Sequence, residues 1–147
     1  MKRIIILILL LVELNFGQDT DRILLQKTMT WTGEITQLYY EKALNEDWAF
    51  RSGYSGFRAE NNANKGWDGA EVGFSYEMSD PSNEIFHSYF SMTGVFADGY
   101  GGVSAQDGFL VSLMLNIDFR WTISDYDAIG IGGIPGGSAT VSYERRF

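Results

Sequence analysis

FLVSLMLNIDFRWTI, residues 109 to 123, is the stretch on which the fold turns. Its odd positions are Phe109, Val111, Leu113, Leu115, Ile117, Phe119, Trp121 and Ile123, with no polar interruption. The polar residues Ser112, Asn116, Asp118, Arg120 and Thr122 all fall on even positions. A period of two puts the two sets on opposite faces of a β-strand, whereas a helix would scatter both around its circumference. A face this long and this apolar needs a non-aqueous environment. A soluble barrel or sandwich turns it inward to a core; a membrane barrel turns it outward to lipid and lines its lumen with the polar set. Alternation is the same in both, so the rest of the chain has to discriminate.

The 147 residues suit one domain. Seventeen glycines, two prolines and abundant aromatics (4 Trp, 8 Tyr, 10 Phe) fit strands joined by turns better than a helical bundle. The net charge of −8 and the absence of any Lys/Arg run argue against nucleic acid as a partner. With no cysteine the chain has no disulfide, thiolate metal site, cysteine nucleophile or lipidated cysteine, and a single histidine rules out a multi-histidine metal centre. No metal and no cofactor are expected.

At the start of the chain, basic Met1-Lys2-Arg3 precedes an apolar run from Ile4 to Val12 and a more polar stretch ending at Gly17. This order is that of a secretory signal peptide, with cleavage expected near Gly17 or Gln18. The apolar run is well short of the roughly 20 residues a spanning helix requires. Residues 1–18 are therefore expected to be the signal peptide and 19–147 the β domain.

Alternation and turn residues divide the domain into strands at Arg22 to Trp31, Ile35 to Lys42, Trp48 to Ala59, Trp67 to Met78, Ile85 to Ala97, the quoted stretch, Ala128 to Ile134 and Ser138 to Phe147. Polar loops are expected at Glu60 to Gly66 and Asp98 to Asp107, and a proline-initiated turn at Asp80-Pro81-Ser82-Asn83. Eight strands place the connections at 43–47, 80–84 and 124–127 on one side and the longer ones at 60–66 and 98–107 on the other. That is the asymmetry of an outer-membrane barrel with both ends of the chain in the periplasm. A bend at Gly132-Gly133 would lengthen the short seventh strand.

The chain ends in Val141-Ser142-Tyr143-Glu144-Arg145-Arg146-Phe147. Ala139, Val141, Tyr143 and Phe147 form an alternating apolar series with a terminal aromatic, and Gly137 precedes it. This resembles the C-terminal signal of bacterial outer-membrane β-barrel proteins, which implies recognition by the barrel-assembly machinery through Val141, Tyr143 and Phe147. Arg145 departs from the pattern, since an apolar residue is more usual there. With the signal peptide and the aromatics Trp31, Trp48, Trp67 and Trp121 near strand ends, the mature chain resembles a small outer-membrane barrel over its whole length. The resemblance is to an architecture, names no one family and carries over no functional residues.

Several residues invite sharper readings. His87-Ser88 suggests a catalytic pair, but adjacent strand residues point to opposite faces, so His87 is badly placed to activate Ser88. Arg51, Glu71, Glu77, Asp118 and Arg120 fall on polar faces and are expected to pair across a narrow lumen, the alternative being a selectivity filter. Gly99-Tyr100-Gly101-Gly102 and Gly130-Ile131-Gly132-Gly133 lack the spacing and following helix of a phosphate loop and are read as loop or bulge glycines. Asp98 and Asp107 bracket an acidic loop without the ordered oxygen spacing of a calcium site.

The sequence thus predicts an all-β protein, an antiparallel up-and-down transmembrane barrel of about eight strands in the bacterial outer membrane. Its partners are outer-membrane lipid and, during biogenesis, the assembly machinery; no external ligand is named. The expected role is structural or surface-interacting, with no chemistry of its own. A narrow porin-like pore, a lipid-modifying enzyme and a soluble lipocalin-like binder are the competing readings.

Overall fold

The computed structural model describes residues 21–80, 82–100, 110–134 and 137–147. Of the expected Asp98 to Asp107 loop, residues 98–100 are strand and the rest lie outside the described residues, as do Phe109 and the segment read as a signal peptide.

The strands are β1 (Arg22–Thr30), β2 (Gly33–Ala43), β3 (Trp48–Ala59), β4 (Asn62–Glu77), β5 (Phe86–Tyr100), β6 (Leu110–Thr122), β7 (Asp127–Gly133) and β8 (Ala139–Arg146). Each pairs antiparallel with its neighbours in sequence, and β8 closes onto β1 in the order β1-β2-β3-β4-β5-β6-β7-β8. Closure runs from Arg22↔Arg146 to Met29↔Ala139, so none of the eight described strands is a sheet edge.

The face assignment follows from burial. On β6, Asp118 and Arg120 are buried, while Leu113 (63 % exposed), Ile117, Phe119 and Trp121 project outward. The other strands repeat the pattern. Gln26 and Thr28 of β1 are buried against exposed Leu25 and Met29, and Ser142 and Glu144 of β8 against exposed Val141 and Tyr143. This is a soluble protein turned inside out. Burying charge while baring aliphatic side chains is unfavourable in water and favourable where the outer wall meets hydrocarbon. The lipocalin-like alternative, which needs the apolar set inside, is contradicted.

Aromatic clusters gird the end of the barrel where β1 begins and β8 ends, here the lower mouth. Trp48 lies 4.9 Å from Tyr76, and Phe86 lies 5.5 Å from Trp121, centroid to centroid. The connections 44–47, 78–85 and 123–126 lie at this mouth. In the second of them the Ser82 backbone amide and hydroxyl both donate to Asp80 (2.9 and 2.8 Å), and they hold its carboxyl below the ordinary carboxylate range.

Three expectations need correction. Glu60 to Gly66 is not a loop, because β4 begins at Asn62 and the β3–β4 hairpin turns at Glu60-Asn61, with a register shift at Arg58/Ala59. The upper connections 31–32 and 60–61 are thus as tight as any at the lower mouth, so the described residues do not carry the loop-length asymmetry. Gly132 and Gly133 form no bend that lengthens β7, which ends at Gly133 in direct register with Ile117. The inside also has an apolar storey. Ile35, Trp67, Val95 and Ala97 pack together in the upper lumen with partly buried Phe57, Met114 and Ile134 around them. Trp67, read as a rim aromatic, points inward and lies 6.2 Å from Phe57 in a stacked pair.

Candidate functional site

The polar lumen is the constellation with the most chemistry, and strand parity assembles it. Inward positions of β1 (Gln26, Thr28), β2 (Gln37, Tyr39, Glu41), β3 (Arg51), β4 (Glu71), β5 (His87, Tyr89, Ser91, Thr93), β6 (Asp118, Arg120) and β8 (Ser142, Glu144) converge on one axis. Glu41 is the hub. It takes Arg51 through Nε at 2.7 Å and through Nη2, and lies 3.3 Å from Arg22 Nε and 3.5 Å from Arg120 Nη1. Arg120 donates Nε to Asp118 (2.6 Å) and Nη1 to Glu144 (2.5 Å), and Arg146 completes Glu144 at 2.7 Å. Asp118 also accepts from the Gln26 amide (3.1 Å) and the Ser142 hydroxyl (3.2 Å). Buried charge is tolerable because each carboxylate meets several donors in a medium where one alone would cost several kcal/mol or more.

Tyrosine rings fill the space between the guanidiniums. Arg22 and Arg120 lie 4.9 and 4.2 Å from the Tyr89 ring centroid, Arg22 donates to the Tyr89 hydroxyl at 2.7 Å, and Arg51 sits 4.6 Å from the Tyr39 ring. On β7 the inward residues are Ala128, Gly130 and Gly132. A Cβ at Gly130 would lie 2.4 Å from Ser142 Oγ and 2.9 Å from Arg120 Cγ, and one at Gly132 would strike the Ile117 backbone carbonyl at 2.2 Å. Gly130 therefore makes room for the Arg120 network and Gly132 for the close approach of the β6 backbone, and neither the phosphate-loop nor the bulge reading describes them.

Of the five residues singled out from sequence, Arg51, Asp118 and Arg120 meet in this one network through Glu41. Glu71 stands apart and is held by neutral groups, accepting from the Tyr39 hydroxyl, the Gln37 amide (3.2 Å) and the Thr93 hydroxyl (3.1 Å). Glu77 lies at the lower mouth and pairs with His87 Nδ1 at 2.6 Å. Beside that pair, Arg22, Trp48 and Tyr89 help line a cleft of about 220 Å³. His87 is buried facing the lumen, and Ser88, its neighbour in sequence, is on the opposite face. Sequence reasoning missed Glu41, Glu144, Arg22, Arg146, Tyr39 and Tyr89. The inward parity of β2 (Ile35, Gln37, Tyr39, Glu41) is the signal that could have flagged two of them.

Val141 and Tyr143 face outward on β8, and Phe147, just past its end, is exposed. Arg145, the departure from the C-terminal pattern, shares that face and is paired, its Nη1 lying 3.2 Å from Asp127 Oδ1, which also accepts from the Tyr143 hydroxyl at 2.5 Å. Among the described residues no cluster of three His, Cys, Asp or Glu could hold a metal ion.

An apolar outer wall around an ion-paired polar interior defines a closed transmembrane-type β-barrel. No protein-family model matches the sequence, and no curated protein matches it. Solved structures do match in shape. A de novo designed transmembrane β-barrel aligns with TM-score 0.65 at 10 % identity, over 89 % of this chain and 98 % of that one. The N-terminal β-barrel domain of Pseudomonas aeruginosa OprF aligns with TM-score 0.63 at 14 % identity, over 89 % and 99 %. Neisserial surface protein A aligns with TM-score 0.53 at 12 % identity, over 87 % and 95 %. The chain shares the eight-stranded architecture of small bacterial outer-membrane barrels, and at these identities the likeness is one of fold.

Proposed function

We propose that the protein is a closed barrel of the bacterial outer membrane, with a structural or surface-interaction role and no chemistry of its own. The observation that carries this is the filled lumen. A charged network occupies its lower and middle part, and the cluster around Trp67 caps it above. In this reading packed guanidinium–carboxylate pairs and an apolar plug leave water and ions no wide path, in keeping with an eight-stranded interior that side chains alone can fill. In the same reading residues 1–18 direct export, exposed Val141, Tyr143 and Phe147 are read by the assembly machinery, and outer-membrane lipid solvates the wall.

Planar-bilayer recording of the purified, folded protein tests the filled lumen. The expected result is no steady channel, with any residual current small. Sustained large conductance from pure protein would overturn the reading in favour of a pore. Removal of Phe147 should lower the yield of barrel in the outer membrane while refolding into detergent in vitro continues. Normal assembly of that deletion in cells would refute the assembly-signal role.

A further inference from the structure

The outer wall is uneven. On β5, outward residues are apolar from Phe86 to Phe96 except for Ser88, ten residues or roughly 33 Å along the strand at ~3.3 Å per residue. On β1, the outward series Ile23, Leu25, Lys27, Met29 meets a charge after four residues, roughly 13 Å at the same rise. Lys27 is bonded to Glu34 of β2 at 2.7 Å, and the two side chains are 49 % and 47 % exposed. Just below, Ile23 is in register with outward Arg145 of β8. β7, β8 and β1 are also the shortest strands, at seven, eight and nine residues, against fifteen and sixteen for β5 and β4.

Lipid suits this face badly. If the bilayer stops at the Lys27–Glu34 pair, the wall is far thinner than the band of about 25 Å that outer-membrane barrels present. If hydrocarbon continues past it, an ion pair stands exposed to lipid, which is costly and marks a contact with something else. Association with another protein relieves both, since a short hydrophobic span can be accommodated by oligomerising.

We propose that the β8-β1-β2 face docks a second copy of this chain. The pair itself specifies the occupant. Seen from outside, Lys27 lies on one strand and Glu34 on the next. A two-fold axis along the membrane normal therefore sets Lys27 of each copy opposite Glu34 of the other, closing a four-charge ring, and sets the rows Leu25, Met29 and Val141 together around it. An isologous contact needs this self-complementarity, and here one ion pair supplies it. The inference goes beyond the filled-lumen function, and its failure would leave that function standing.

The absence of native cysteine makes the test direct. Leu25→Cys on the proposed face and Met92→Cys on the opposite wall are each made in the full chain, reconstituted in lipid vesicles and treated with a short bismaleimide. Only protein with the compact, heat-modifiable mobility of a closed barrel is scored. Leu25→Cys should give a crosslinked dimer and Met92→Cys essentially none. In the Leu25→Cys background, Lys27→Glu and Glu34→Lys should each lose most of the dimer, and the double swap should restore it. Equal crosslinking at positions 25 and 92, no dimer at 25, or a double swap that stays monomeric would each overturn the proposal. If either single charge variant fails to close, the comparison of 25 with 92 and the double swap decide it.

Discussion

At the residue scale, the lumen separates two kinds of buried carboxylate. Glu41 is fully buried and shared by Arg51, Arg22 and Arg120, so Glu41→Gln leaves three guanidiniums competing for the remaining acids. Breaking a buried pair in this way costs about 3–5 kcal/mol, because the orphaned charge cannot be resolvated. Glu71 accepts only from neutral donors, and Glu71→Gln keeps an acceptor oxygen for them, so its cost is expected near the ~1 kcal/mol of a hydrogen bond. Urea unfolding of the reconstituted barrel checks the order. Equal losses, or a larger loss at Glu71, would show that Glu41 is not the hub. Trp67→Ala should cost about 3–5 kcal/mol by the same measurement, through the cavity it opens in the upper lumen.

At the element scale, β6 carries the argument about faces. Leu115 and Asn116 lie near its middle, on the outward and inward parities. A spin label on Leu115→Cys should be relaxed strongly by oxygen dissolved in the acyl chains and weakly by a water-soluble nickel chelate. A label on Asn116→Cys should be immobilised against the lumen side chains. Leu115→Arg should destabilise the barrel by roughly 2–4 kcal/mol, the cost of arginine at the bilayer midplane. A label at 115 that senses only packed protein would invert the barrel. β7 shows how far a single element depends on its neighbours: its inward glycines have meaning only beside Ser142 of β8 and the Ile117 to Arg120 stretch of β6.

At the scale of the whole molecule, the two storeys of the lumen belong to different terms in the stability. The polar storey is a set of ion-paired and hydrogen-bonded groups that gain little over apolar packing but resist being opened one at a time. The apolar storey packs side chains as any core does. In the proposed reading the two together fill the middle and upper lumen, and no steady channel is expected. A Trp67→Ala barrel should still conduct little, because the network around Glu41 and Arg120 remains below the new cavity. Large conductance in that variant alone would assign the seal to the plug rather than to the charges.

How much of this was legible in the sequence depends on the range of the interaction involved. Period-two alternation is set by backbone pleating within one strand, so β6, β3, the strand count and the all-β class could be read from residues 22 to 147 alone. The inward positions of Arg51, Asp118 and Arg120 followed from the same local rule. Alternation has no sign, however: whether Leu113 and Phe119 meet a core or a membrane is decided by what fills the other face, and that requires every strand at once. Closure and register did the rest. They joined Arg120 to Glu144 across 24 residues and Gln26 to Asp118 across 92, turned Trp67 into a plug, and made the Gly130 position into space for the Ser142 and Arg120 side chains. The sequence by itself determined that this chain makes amphipathic strands, because that preference is local. Only the tertiary structure decided which carboxylate meets which guanidinium, because those distances depend on the stagger of eight strands around a closed ring.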